Sequence, residues 1–157
     1  MSTYASQVPA EWIDVNGHMN AMHYYQVIYD AHVAMTEEIG LGEDYVKSTN
    51  CGKAVLESHM VFESEVSEGE QLEVVSRLLA VDEKRLHFFH ELFNRTQSKR
   101  AACSEQVDIH IDLTRRCSSP MPKKLFEALK NLAKKHQEQP IPEGVGRKVR
   151  GPKLPES

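Results

Sequence analysis

Between Asn20 and Ile39 the apolar residues Tyr24, Val27, Ile28, Ala31, Met35 and Ile39 recur at steps of three and four. Gly40 follows, so the stretch reads as one long helix with a glycine stop. Met22, Tyr25 and Ala34 widen the stripe, which predicts a helix enclosed over much of its circumference. The next helix-length pattern comes only after Pro120 and Pro122, where Leu125, Phe126, Leu129, Leu132 and Ala133 form an apolar face opposite lysines. Whatever encloses the first helix must come from the residues between.

Those residues read mostly as strands. After a turn-rich linker, GLGEDYVKSTNCGK, the run Lys53 to Val66 alternates, with Ala54, Leu56, Ser58, Met60 and Phe62 on one side and Val55, Glu57, His59 and Val61 on the other. Gln71 to Val81 and Arg85 to Arg95 are joined by the short connection DEK, and Ala101 to Leu113 alternates again. A four-stranded antiparallel meander is expected, with Ala5 to Ile13 adding a short edge strand because Pro9 bars a regular central one. The fold class is therefore α+β, a curved antiparallel sheet wrapped around one long central helix, plus a C-terminal amphipathic helix. A single sheet around one helix leaves edges and apolar surface to cover, which predicts a homodimer or tetramer.

At 157 residues the chain is expected to form one domain, 1–157, with a core over about 5–136 and an extended basic tail at 137–157. Residues 1–114 hold 8 Lys and Arg against 19 Asp and Glu, net −11, whereas 115–157 hold 11 against 4, net +7. The acidic body argues against general nucleic-acid binding. No apolar run approaches the roughly 20 residues that span a bilayer, and the start MSTYASQVPAEW lacks the features of a secretory signal, so no membrane association and a cytoplasmic location are expected. Cys51, Cys103 and Cys117 are scattered and without metal-type spacing, which points to free thiols rather than a disulfide framework or a zinc site.

The chemistry concentrates just before the first helix, in IDVNGHMNAMHYY. Asp14, Asn16, His18 and Asn20 are spaced by two, and a helix start offers unpaired N–H groups and partial positive charge to an anion or developing oxyanion. A carboxylate there can attack a carbonyl or activate water, with an imidazole and an amide orienting it. The same residues also read as turn and cap: Asn16-Gly17 for a tight turn, Asp14 and Asn20 for capping. His87 and His90 point to opposite strand faces and His18 and His23 are badly spaced for chelation, so no metal is expected. Glu57 and His59 share a strand face that either lines a pocket or meets solvent. No G-x-S-x-G elbow and no glycine-rich phosphate loop is present.

The run DVNGHMN resembles the D-x-N-x-H-[VM]-N signature of hotdog-fold thioesterases of the 4-hydroxybenzoyl-CoA thioesterase-like superfamily, where it precedes the central helix. EWIDVNGHMN, LESHMVF, DEKRLHFFHEL, SEQVDIHIDL and a late GR are similar to betainyl-CoA thioesterases associated with carnitine dehydrogenase, over roughly Val8 to Arg150. The resemblance implies an acyl-CoA thioesterase that acts on a small acyl group, betainyl-CoA to betaine and CoA, in carnitine metabolism and without a cofactor. It implies that Asp14 is nucleophile or general base, that Asn16 orients substrate or carboxylate, and that His18 is the motif histidine. Glu65, in FESE, matches an acidic residue that takes part in the acyl-carrier-protein branch. The thioester oxygen is then expected at the amides of Asn20, Ala21 and Met22. A betainyl trimethylammonium calls for aromatic rings, offered by Trp12, Tyr24, Tyr25, Phe88 and Phe89, or for a carboxylate such as Glu57, with His59 beside it. Arg147, Lys148 and Arg150, or Lys84 and Arg85, are candidates for the CoA phosphates. The alternatives are a hotdog hydratase or dehydratase, using His18 and Asp14 to move a proton alpha to the thioester, and a non-catalytic acyl-CoA binding module.

Overall fold

In a computed structural model that describes residues 1–149, the stripe at 20–39 is helix α1, Ala21–Glu38, started by Asn20, whose side chain accepts the Met22 N–H. Around it runs a six-stranded antiparallel sheet: β1 (Ser2–Gln7), β2 (Cys51–Phe62), β3 (Gln71–Val81), β4 (Arg85–Asn94), β5 (Lys99–Asp112) and the two-residue β6 (Cys117–Ser118). The edge strand thus starts before Ala5 and ends before Pro9. The linker contains a helix the sequence reading left as turn, α2 (Glu43–Thr49), with Glu43 and Asp44 in its first turn, a Glu43–Lys47 pair at 2.7 Å and left-handed Asn50 at its end. Helix α3, Lys123–Gln137, follows Pro122 as expected.

The meander is shorter than expected. Strand order is β1-β3-β4-β5-β2, with the short β6 also on β5, so of the four long strands only β3, β4 and β5 are sequential neighbours, while β2 crosses to pair with β5 on the far side. A bulge between Val55 and Glu57 also breaks the strict alternation of β2. It brings Lys53 onto the same, helix-facing side as Ser58, Met60 and Phe62, and leaves Glu57 and His59 opposite Val107 and Glu105 on the convex face.

The concave face packs on α1 in two apolar groups. Val27, Ile28 and Ala31 meet Val74, Leu92 and Ala102 near the start of α1, and Met35 meets Leu78, Leu86 and Phe88 near its end, where Leu129 and Ala133 of α3 join. Between them lies a buried polar band. His32 Nε2 sits 3.0 Å from Asp108 Oδ2, Lys53 Nζ lies 2.8 Å from His32 and 3.2 Å from Asp108, and Gln106 donates to Asp108 Oδ1 at 2.8 Å. His90 faces His32 edge-on and bonds Ser76 Oγ at 2.7 Å. Helix α1 is not enclosed all round: Met22, Tyr25, Tyr29 and Val33 form an exposed outward stripe, with Phe62 of edge strand β2 edge-on to Tyr25 and Leu56 of the same strand also exposed. The C-terminal residues 138–149 form no helix or strand but turn at 143–146, and they cross the convex face, where Arg77 donates to Pro140 C=O at 2.9 Å and Arg100 to Glu143 C=O at 2.9 Å.

Candidate active site

The stretch before α1 folds as a closed loop. After a 3-10 turn at Ala10–Trp12, Ile13 bridges Met19, and the Asp14 N–H donates to His18 C=O at 2.9 Å. Gly17 takes φ +81°, a left-handed conformation suited to glycine, and its N–H donates back to Asp14 C=O at 3.0 Å. The Asp14 carboxylate accepts the Asn16 N–H at 2.8 Å, with the Asn16 amide at 3.5 Å from its other oxygen. Turn chemistry therefore aims the carboxylate instead of competing with it.

The loop is anchored at both ends. Met19 N–H donates to Val66 C=O at 2.8 Å and Asn20 N–H to Trp12 C=O at 2.9 Å. At the helix start the Met22 and His23 amides are taken by Asn20 Oδ1 and Asn20 C=O. Among the described residues the Ala21 N–H has no protein acceptor, so of the three amides expected to receive the thioester oxygen it is the one left available.

His18 Nε2 meets Glu65 Oε2 at 2.9 Å. A cleft of about 420 Å³ brings Asp14, Asn16, His18 and Ala21 together with Tyr24, Phe62, Glu63 and Glu65. Tyr24 is buried and donates to Ser64 C=O at 3.1 Å; burial and the nearby Glu65 and Glu70 charges push its phenol up, so it is a neutral donor there. Phe62 stands edge-on to Tyr24 at 5.4 Å and to Tyr25 at 6.0 Å. Trp12 stacks on His23 with 4.8 Å between ring centroids. A neighbouring cleft of about 430 Å³ runs along α1 past Met22, Tyr25 and Tyr29 to Ser58, Ser104 and Gln106.

Several expected site residues lie elsewhere. Glu57 and His59 are on the convex face, opposite Ser58 and Met60, and Phe88 and Phe89 are buried. Lys84 and Arg85 sit at the β3–β4 hairpin, where Asp82 accepts both of their N–H groups. That is the opposite end of β3 from Gln71, about 33 Å along a regular strand. Arg147 does approach the cleft, with its guanidinium 3.8 Å from Glu63, while Arg150 lies outside the described residues. Phe62 and Glu63 are lining residues that the sequence reading passed over. They stand in the same FESE that singled out Glu65, at the point where β2 ends and Glu63 and Ser64 both donate to Ala101 C=O.

The profile of the thioesterase-like superfamily matches residues 8–129. A betainyl-CoA thioesterase of Pseudomonas aeruginosa is 36% identical over 149 residues, covering 95% of this chain and 94% of that protein. An L-carnitine dehydrogenase/betainyl-CoA thioesterase of Rhizobium meliloti is 33% identical over 144 residues; the match takes in 92% of this chain but 29% of that longer protein. Among solved structures, a hypothetical protein from Staphylococcus aureus in complex with CoA superposes with a TM-score of 0.87 at 26% identity, covering 96% of this chain and 94% of that one.

Proposed function

Since the chain belongs to the thioesterase-like superfamily, we propose that it is an acyl-CoA thioesterase whose single domain cleaves a small, cationic acyl thioester, betainyl-CoA, at the cleft holding Asp14. The observation that carries this reading is the pairing of a turn-presented carboxylate, Asp14, with a free helix-start amide, Ala21 N–H, across one cleft. The amide is the donor for the oxygen that gains charge as the carbonyl is attacked. Asp14 either attacks the carbonyl carbon, expelling CoA thiolate, which takes a proton from solvent, and forming an acyl anhydride that water then hydrolyses, or takes a proton from the attacking water and passes it to the departing sulfur, so that CoA leaves as the thiol. Asn16 fixes the carboxylate, and His18, paired with Glu65, forms the adjoining wall.

A cationic acyl group suits this lining. The cleft carries three carboxylates, Asp14, Glu63 and Glu65, beside the rings of Tyr24 and Phe62, a combination that favours a quaternary ammonium over a neutral group. The similarity to the Pseudomonas betainyl-CoA thioesterase supports the same substrate. Arg147, beside Glu63 at the rim, is the nearest of the proposed phosphate contacts. The reaction as written needs no cofactor. The exposed stripe of α1 and the open edge of β2 support self-association through that face.

Thiol release from a panel of CoA esters tests the reading. Betainyl-CoA is expected to be turned over faster than its neutral isostere 3,3-dimethylbutanoyl-CoA, and both faster than an aromatic ester. Release from none of them points to a binding module; water added across an enoyl ester without thiol release points to a hydratase.

A further inference from the structure

Resting on that reading, we infer that Arg100, held by the C-terminal strap 138–149, is a positioning residue that neutralises Glu63 at the cleft wall and so sets how strongly the cleft prefers a cationic acyl group. Arg100 lies at the start of β5, outside the motif, with its side chain only 14% exposed. Its guanidinium forks onto Glu63, Nε to Oε2 at 2.7 Å and Nη2 to Oε1 at 2.8 Å. Its remaining nitrogen, Nη1, donates to Glu91 Oε1 and to the strap's Glu143 C=O, both at 2.9 Å. The side chain therefore joins the convex face, the strap and the cleft lining.

Glu63 is one of three carboxylates lining the cleft, with Asp14 and the Glu65 that pairs with His18. Clamped by Arg100, with Arg147 at 3.8 Å, it is kept from competing for His18 and its charge is largely cancelled. The strap covers the Arg100 end of the clamp. Beneath it Phe89, Glu91 and Cys103 are 1%, 8% and 2% exposed, and Gly146 N–H donates to Glu105 Oε2 at 2.6 Å. Its seat is close: Gly144 has φ +106°, and a Cβ there would lie 3.3 Å from Cys103 Sγ and 3.5 Å from Phe89. Lifting the strap hydrates the Arg100–Glu63 pair and weakens it.

The test is the ratio of kcat/KM for betainyl-CoA to that for 3,3-dimethylbutanoyl-CoA, which does not change when part of a preparation is simply inactive. Arg100→Met leaves Glu63 with only the more distant Arg147 beside it and is expected to raise the ratio about tenfold. Gly144→Ala, outside the cleft lining and milder for folding, is expected to raise it about threefold while Cys103 alkylation by iodoacetamide quickens. A ratio within about twofold of wild type in either variant, with wild type hydrolysing both esters, overturns the inference but leaves the thioesterase reading standing. If wild type releases no thiol from either ester, the thioesterase reading falls and the inference with it.

Discussion

Replacing Asp14 by Asn separates the catalytic role of this carboxylate from its part in the loop. In the wild type it accepts the Asn16 N–H at 2.8 Å, and an asparagine oxygen in the same place accepts that bond equally well. The bonds that close the loop, Asp14 N–H to His18 C=O and Gly17 N–H to Asp14 C=O, are backbone and survive the change. The fold is therefore expected to hold, with the melting temperature within about 2 °C of wild type. An amide can neither attack the thioester carbon nor take a proton from water. Removing a positioned base or nucleophile of this kind costs about a thousandfold, or about 4 kcal/mol of transition-state stabilisation. Because the Ala21 N–H and the cleft lining are untouched, KM is expected to change by less than about threefold. The assay is continuous thiol release, with kcat and KM separated. A kcat within about tenfold of wild type refutes the role given to Asp14. Repeated turnover of the wild type in ¹⁸O-water, followed by mass analysis of the loop peptide, then tests the covalent route: label in Asp14 marks an acyl-enzyme hydrolysed at the Asp14 carboxyl carbon.

Burial, reinforced by the neighbouring His32, pushes the His90 pKa down to about 3. The unfolded chain takes up that proton first, near pH 6.5, so stability is full above about pH 6.5 and is lost as pH falls toward 3, at up to about 1.4 kcal/mol per pH unit. Urea unfolding between pH 6.5 and 4.5 is expected to show this slope and His90→Gln to flatten it; equal slopes overturn the assignment. In Lys53→Met, Asp108 stays fully buried and keeps only His32 and Gln106 as partners. A loss of about 3 kcal/mol, seen as about 10 °C in melting temperature, is expected, and a drop of less than about 3 °C refutes the view that Lys53 balances this charge. Light scattering is expected to show a homo-oligomer, and a charge on the exposed stripe, Tyr29→Glu with Leu56→Glu, is expected to give monomers. A monomeric wild type contradicts assembly through this face.

Local patterns in the chain were enough for the elements whose stabilisation is local or periodic. The α1 stripe and its Asn20 cap were readable to within a residue, and β3 to the residue. Strand order was not, because the partner of β2 lies about fifty residues further on, and no local pattern states which edge a strand joins. Helix α2 escaped because none of its seven residues is buried, so it has no apolar stripe; its signals were the acidic first turn and Asn50. In the site, Asp14, Asn16 and His18 were legible because one short loop contains them all. Glu63 and Arg100 were not, since their meeting depends on the β2–β5 pairing and on a strap from the far end of the chain.

The bulge at Leu56 shows why a missed single residue can matter more than a missed element. With regular alternation along β2, Lys53 would share a face with Glu57 and point away from α1. Asp108 and His32 would still be brought together by β5 and α1, leaving a buried carboxylate without its strongest cation. One extra residue turns Lys53 inward to 2.8 Å from His32, while Ser58, Met60 and Phe62 keep their concave positions beside β5. Glu57 and His59 stay on the convex face either way, opposite Ser58 and Met60, so the slip acts only on the residues before Leu56. The bulge thus fixes the charge balance of the core while leaving the cleft end of β2 in its regular register.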